Sequence, residues 1–462
     1  MIPAVTEVLV IGGGNAGLCA AITARQSGAR VLLLEKGDRV MRGGNTRHTR
    51  NLRVMHNQPL LNLDGSYSEE EYWQDLLQVT GGKTNTTLAR LMINHSEELL
   101  IWLQKIGVHY QPALSGTLGL NSTNAFFLGG GKALVNTLYR VAERVGVDII
   151  YNADVRDLEL NGCNFVAASG TVGDRTFQIS ANAVVVASGG FQANSKWMKD
   201  IWGQASNNFL IRGTPKNTGL PLISLINQGV NTVSDPSQCH AIAIDARGPR
   251  FDGGIVTRLD CVCFSIVVND KGQRFYDEGE DFWPKRYAIW GRLIASQPDQ
   301  IAYAIFDEKV KNNFMPSIFE PISGKTIAEL AKKLDVPATQ LEKTVLDFNQ
   351  SIVQGIYDIN QLDSCRTKGL EPPKSHWALP IDTAPYYAYP LKPGITFTYL
   401  GLEVDSLARV QFDNEASPNI YAAGEVMAGN ILGQGYCAGT GMTIGGVFGR
   451  IAGKEAADWR TR

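Results

Sequence analysis

Apolar runs and glycines punctuate the start of the chain in a fixed order. An apolar run at 7 to 11 (EVLVI) leads through a glycine turn into a small-residue stretch of helical character at about 15 to 27, then a second run at 30 to 34 ending at Glu35. That succession predicts strand, helix and strand, one βαβ unit with parallel strands. Between 68 and 107, apolar positions 88, 91, 92, 99, 103 and 106 form one stripe, which predicts scaffold helices. A further helix is expected over GGGKALVNTLYRVAERVG, then strands at 148 to 151 and 154 to 160. The run AVVVASGGF at 183 to 191 ends in two glycines. Far downstream NIYAAGEV, 419 to 426, repeats that design before a glycine-dense helix start near Gly439.

The stretch from about 236 to 380 has another texture. It holds short β-like runs (262 to 268), the polar segment NDKGQRFYDEGEDFWPKRYAIWGRL, a strand IAYAIFD, a helix around 338 to 353, and a return through Pro372, Pro373 and Pro380. The expected fold class is α/β: a Rossmann-like dinucleotide-binding domain formed by 1–235 plus 381–462, with an inserted α+β capping domain at 236–380. A length of 462 residues at 44% hydrophobic content is ample for a core.

Charge and cysteine content remove several function classes. Lys plus Arg number 43 against 45 Asp plus Glu, a net charge of −2, which argues against general nucleic-acid binding. No uncharged apolar stretch approaches the ~18 residues of a membrane span. The N-terminal segment lacks the cationic stretch and cleavage site of a secretory signal, so a cytoplasmic location is expected. The 7 Cys are scattered without C-x-x-C spacing, so disulfides, iron–sulfur clusters, haem and a metal site are not expected.

Gly12, Gly14 and Gly17 form G-x-G-x-x-G. One glycine permits the tight turn, the next lets backbone approach a pyrophosphate, and the last brings helix against strand. Glu35 stands where a carboxylate holds ribose hydroxyls and repels a 2′-phosphate. The two strand-plus-glycine elements at 183 to 190 and 419 to 425 add surfaces where backbone meets ligand, more than a nicotinamide dinucleotide on one βαβ unit needs. A long cofactor running across the sheet would use them. Free N–H groups at the helix start near Gly439 would suit the C2 carbonyl region of a reduced flavin. No later strand carries a second G-x-G-x-x-G, so no built-in nicotinamide site is visible.

These pieces, with GGNT at 43 to 46, VVNDKGQRFYDE and the final GGVFGRIAGKEAA, resemble the flavoprotein family of fumarate reductase, succinate dehydrogenase and 3-ketosteroid dehydrogenase over essentially the whole length. Within that family MRGGNTRHTRNLR, NAFFLGGGKALVN, RFYDEGEDFWPKRYAIWG and GQGYCAGTGMTIG are most similar to the tricarballylate dehydrogenases, which oxidise tricarballylate to cis-aconitate with FAD. The resemblance implies FAD as cofactor, with Gly12, Gly14 and Gly17 at the pyrophosphate and Glu35 at the adenosine ribose. It puts Gly43, Gly44, Asn45 and Thr46 beside the flavin, Val155 at the adenine, and Gly424 with Glu425 at the ribityl chain. Asn15, Ala16, Lys36, Ala187, Ser188, Gly189, Gly439 and Thr440 complete the implied cofactor wall. Asn45 stands where succinate dehydrogenases carry the His that bonds FAD covalently, so non-covalent FAD is expected.

The loop 41 to 53 concentrates Arg42, Arg47, His48, Arg50 and Arg53 in a nearly neutral chain. In the resembled fold it runs beneath the isoalloxazine, so Arg47, His48, Arg50 and Arg53, with His240, are expected to bind carboxylates of a small polycarboxylate. Desaturation would then proceed by α-proton abstraction and hydride transfer to flavin N5. The proton-donating Arg of fumarate reductases falls at Phe282, their His near Phe397 and their C-terminal Arg at Tyr436. The candidate bases are therefore Arg286, Lys285, Tyr399 and Tyr436. Two alternatives stand beside this reading: a ketosteroid-dehydrogenase-like desaturase or ene-reductase on a less charged substrate, and a flavin-binding electron-transfer or accessory protein. The resemblance also implies a separate iron–sulfur, membrane-associated electron acceptor.

Overall fold

The computed structural model describes residues 2–113, 120–315, 317–413 and 415–459. β1 (Val5–Ile11), α1 (Asn15–Gln26) and β2 (Val31–Leu34) form the expected βαβ unit, with Val8 to Ile11 in parallel register with Val31 to Leu34. Val8 to Ile11 is buried on both faces, which is why this strand reads as a continuous apolar run rather than an alternation. On its other side β1 pairs in parallel with Arg175–Val186, and that strand pairs with Glu415–Ala422. The sheet therefore joins the first residues of the chain to some of the last. Ala153–Asn161, Asn164–Val172 and Arg175–Val186 extend it as an antiparallel meander.

The C-terminal helix Thr440–Trp459 lies against α1, and the glycine spacing explains how closely. Gly445, Gly449 and Gly453 recur every fourth residue and so share one face. A Cβ on Gly449 would sit 2.4 Å from Ala16 O, and one on Gly453 2.2 Å from Ala20 O. The glycine density past the helix start thus serves helix packing.

A second sheet orders Cys239–Asp245, Tyr386–Thr398, Ala302–Asp307 and Ile266–Asn269, with Ile322–Gly324 and Leu210–Ile211 paired to the long strand. It recruits Leu210–Ile211 and Tyr386–Thr398 from outside the 236–380 span expected for the inserted unit. The 262 to 268 run divides: Val262–Phe264 is a 3-10 turn, and the strand begins at Ile266. In the N-terminal part α2 (Glu69–Thr80) starts with a complete capping box between Ser68 and Glu71, and its inner face buries Tyr72, Trp73, Leu76 and Val79. No described helix is long and apolar enough to cross a membrane.

Candidate active site

One large cavity, about 1440 Å3 with its open mouth included, runs from the β1–α1 turn to the second sheet. The turn makes its first wall. Gly12 has φ +105°, and a Cβ there would meet Ala187 O at 2.3 Å. Gly17 does not reach the cavity. A Cβ on it would lie 1.8 Å from Gly12 O, so it serves helix–turn packing, as the third glycine of the pattern should. Thr46 Oγ1 accepts from Asn15 N at 2.9 Å and ties the turn to the loop at 43 to 46.

Two buried carboxyls stand at opposite ends. Glu35 accepts from Gly13 N (3.0 Å), Gly37 N (2.6 Å) and Tyr139 Oη (3.2 Å); burial nonetheless pushes its pKa above the usual value. Glu425 accepts from Thr398 N (3.0 Å) and Asn217 Nδ2 (3.2 Å), and burial raises it to about 7. Along the same cavity Ser188 Oγ and Thr396 Oγ1 are buried without a hydrogen-bond partner. Set along one long space, these orphaned groups fit a ligand rich in hydroxyl, phosphate and carbonyl groups.

Of the expected cofactor residues, Gly12, Gly14, Asn15, Ala16, Glu35, Lys36, Gly44, Asn45, Thr46, Val155, Ala187, Ser188, Gly189, Gly424, Glu425 and Gly439 line the cavity. Gly43 and Thr440 do not. Gly43 (φ +95°) caps the turn Gly44–His48, and Thr440 Oγ1 shares a hydrogen bond with Tyr72 Oη. Asn45 is tied into the wall, donating to Thr396 O (2.6 Å) and accepting from Thr214 N (2.9 Å).

The far end of the cavity is cationic. Arg50, Arg212 and Arg258 converge there with His240, Tyr287 and Tyr436. Burial, then the charge of Arg258, lowers Arg50 to about 10. Burial likewise lowers Arg212 to about 10 with Arg258 adding to it, and Arg212 Nε has no partner. Arg258 is held at one edge, its Nε donating to Asp260 Oδ1 at 2.5 Å, and at one face, where the Tyr287 ring lies 4.3 Å away. Trp283 Nε1 fixes the same oxygen at 2.6 Å. His240 stacks on Tyr436 at 3.9 Å with both ring nitrogens unpartnered, and burial, then Arg212 and Arg258, drives its pKa well down. It is a neutral imidazole among cations.

Several expected substrate and proton-transfer groups lie elsewhere. Lys285 pairs with Asp75 at 2.7 Å, and Arg286 Nε bonds Glu280 at 2.8 Å. Tyr399 is fully buried, donating to Gly435 O at 2.7 Å. Arg53 is 2% exposed and bound to Tyr67 and Asp75, while Arg47 Nη1 contacts Met41 Sδ at 3.1 Å. None of these five lines the cavity. His48, Arg50, His240 and Tyr436 do, His48 tied to Asp252 at 2.7 Å. Arg212 and Tyr287 carried no sequence signal: the first follows a two-residue strand, the second sits in a 3-10 turn.

A wall that joins a dinucleotide-type glycine turn to a cationic chamber is built for a nucleotide cofactor. The family model described as FAD binding domain matches residues 7–444, and the chain belongs to that family. Its cofactor is FAD, as the motifs implied, and in sequence and fold it is similar to flavoproteins of the fumarate reductase type. Among its relatives, NADH:fumarate oxidoreductase of Klebsiella pneumoniae is 27% identical over 98% of this chain and 47% of its own. A probable fumarate reductase of Shewanella frigidimarina is 27% identical over 98% and 75%, and urocanate reductase of Eggerthella lenta 26% over 98% and 74%. The chain thus spans about half of the first of these. In fold it matches 3-ketosteroid delta1-dehydrogenase of Sterolibacterium denitrificans (TM-score 0.78, 18% identity, 99% of this chain and 100% of that one). It likewise matches a flavocytochrome c3 fumarate reductase (TM-score 0.77, 23%, 99% and 79%).

Proposed function

We propose that this protein dehydrogenates a carbon–carbon bond of a small polycarboxylate, tricarballylate to cis-aconitate before all others, with non-covalently bound FAD. The observation that carries the reading is the convergence of Arg50, Arg212 and Arg258 on one buried chamber at the end of the cofactor cavity. Three guanidinium groups that repel one another along one cavity wall gain most from a ligand with several carboxylates. An apolar steroid would leave Arg50 and Arg212 without a counter-ion of their own, Arg258 alone being paired, with Asp260, which weighs against the less charged alternative.

When bound, FAD supplies the two-electron acceptor. Arg258, held by Asp260 and Tyr287, keeps its outer edge for a bidentate carboxylate, and Arg50 and Arg212 take the others. As the α-carbon loses its proton, charge grows on the adjacent carboxylate, and the same cations stabilise it. His240, neutral, offers one N–H donor and one acceptor. The proton acceptor in this reading is Tyr287 in its phenolate form: its hydroxyl bonds no described residue, and burial raises its pKa while the charges of Arg258, Arg212 and Arg50 oppose that rise. Tyr436, whose oxygen accepts from Gly441 N at 2.9 Å, backs His240.

Reduction of an unsaturated polyanion in the same chamber is the second reading, favoured by the reductase names of the relatives. Reoxidation falls to an outside acceptor, for which a separate iron–sulfur, membrane-associated protein is the proposal; a cytoplasmic site of action goes with it. The test is anaerobic addition of tricarballylate to the yellow holoprotein. Loss of the flavin's visible band with formation of cis-aconitate supports dehydrogenation. An unchanged spectrum, with oxidation of pre-reduced protein by cis-aconitate or fumarate, supports the second reading instead.

A further inference from the structure

Arg53 belongs to neither the cavity wall nor the surface. Its Nε and Nη2 donate to Tyr67 Oη at 3.0 and 2.5 Å, and Nη2 also to Asp75 Oδ2 at 2.5 Å. Asp75 accepts from Tyr67 Oη at 2.8 Å and pairs through its other oxygen with Lys285 Nζ at 2.7 Å. The Tyr72 ring flanks the guanidinium at 5.1 Å, and the Cys437 thiol contacts Asp75 O at 3.5 Å. Burial raises the pKa of Tyr67, Tyr72 and Cys437, so all three are neutral. Two cations therefore share one carboxylate, leaving one positive charge within the bonded cluster, buried at Arg53 and half-buried at Lys285; the Asp281 and Glu71 carboxylates act on the Cys437 thiol and on Asp75 from outside it.

That cluster lies directly behind the start of the C-terminal helix. Thr443 Oγ1 donates to Arg53 O at 2.7 Å, Tyr72 Oη shares a hydrogen bond with Thr440 Oγ1 at 3.1 Å, and a Cβ on Gly439 would lie 2.6 Å from Arg53 N. On the other side of the same backbone, Asn51, Gly439, Gly441 and Met442 line the cofactor cavity. The helix contributes the positive end of its dipole at this wall, and the surplus charge behind it has the same sign.

We propose that the Arg53, Asp75 and Lys285 cluster sets the reduction potential of bound FAD, its surplus charge favouring the reduced cofactor. Two-electron reduction with uptake of one proton adds one negative charge to the flavin ring, whichever reductant supplies the electrons. A fixed positive charge in a poorly screened interior stabilises that added charge without touching substrate. Lys285 and Arg53 then act on the flavin's electronics rather than on a carboxylate. The inference does not depend on which substrate is oxidised.

The test is the midpoint potential of the purified holoprotein, measured by slow enzymatic reduction beside a reference dye. Asp75→Asn removes the carboxylate charge and leaves two cations; the equilibrium moves about tenfold toward reduced FAD, a rise of about 30 mV for a two-electron couple. Lys285→Met removes one cation and moves the equilibrium the opposite way, by about threefold, whereas Lys285→Arg leaves it within about twofold. Opposite signs are the signature, because loosened packing behind the helix would move both variants together. Shifts of the same sign, or none beyond twofold, overturn the proposal. Should the Asp75 variant fail to retain FAD, the two Lys285 variants decide: equal potentials for Met and Arg overturn it.

Discussion

Removing Arg212 tests the cationic chamber most sharply, because the residue is 7% exposed and its Nε is unpartnered. Its pKa of about 10, against an ordinary 12.5, means that the charged form carries about 3 kcal/mol of unfavourable free energy in the ligand-free site. A carboxylate arriving beside it relieves that cost. A charge-assisted hydrogen bond contributes about 1.5–3 kcal/mol. Arg212→Gln should therefore weaken tricarballylate binding by about 10- to 100-fold, at about 1.4 kcal/mol per factor of ten. Calorimetric titration of FAD-loaded protein, with oxidised product removed, reads this directly. Bound anion raises the arginine pKa, so binding requires the protonated form. In the wild type affinity should hold below about pH 9 and fall as pH rises through about 10, where Arg50 and Arg212 lose their protons in the free protein. Arg212→Gln should keep one such step, from Arg50. Binding within threefold of wild type, with an unaltered pH profile, would refute the reasoning.

Further expectations follow from other residues. Tyr287→Phe should lower turnover by about 10²- to 10⁴-fold while tricarballylate affinity stays within a few-fold, the mark of a lost proton acceptor; steady-state kinetics beside calorimetry check it. Glu425, raised by burial to about 7, resists ionisation in the folded state, so its effect on stability is lost as pH rises from about 4.5 to 7. Denaturant titration of FAD-free protein should show a decline of up to about 3 kcal/mol across that window which Glu425→Gln abolishes. Gly449→Ala forces a methyl group against Ala16 O and should cost about 1–3 kcal/mol by thermal unfolding.

The cofactor half of the site was legible because its signals are local. A strand, a glycine turn, a helix and Glu35 lie within one short segment, and β1, α1 and β2 follow that pattern within a residue or two. The cationic chamber is assembled by distant pairings. Ile211 pairs with Ile395 and Arg212 N bonds the same carbonyl, which carries a side chain from an unremarkable loop into the site. The strand Tyr386–Thr398 was obscured by Pro390 and Pro393, residues that usually bar a central strand. They are tolerated because Ala302–Asp307 pairs with the half ending at Leu391 while Cys239–Asp245 pairs with the half beginning there. Lys285 and Arg286 lie off the cavity wall because spacing along a chain does not say which way a side chain turns, and acids stand nearer: Asp75 and Glu280.

The central claim is that Arg50, Arg212 and Arg258 receive the carboxylates of the molecule that the flavin oxidises. A crystal structure of the FAD-loaded protein with tricarballylate tests it most directly. Carboxylate oxygens are expected within hydrogen-bond distance of all three guanidinium groups, with the Tyr287 hydroxyl facing a methylene or methine carbon. A ligand bound elsewhere, or one or more of these arginines turned from it into solvent, would contradict it.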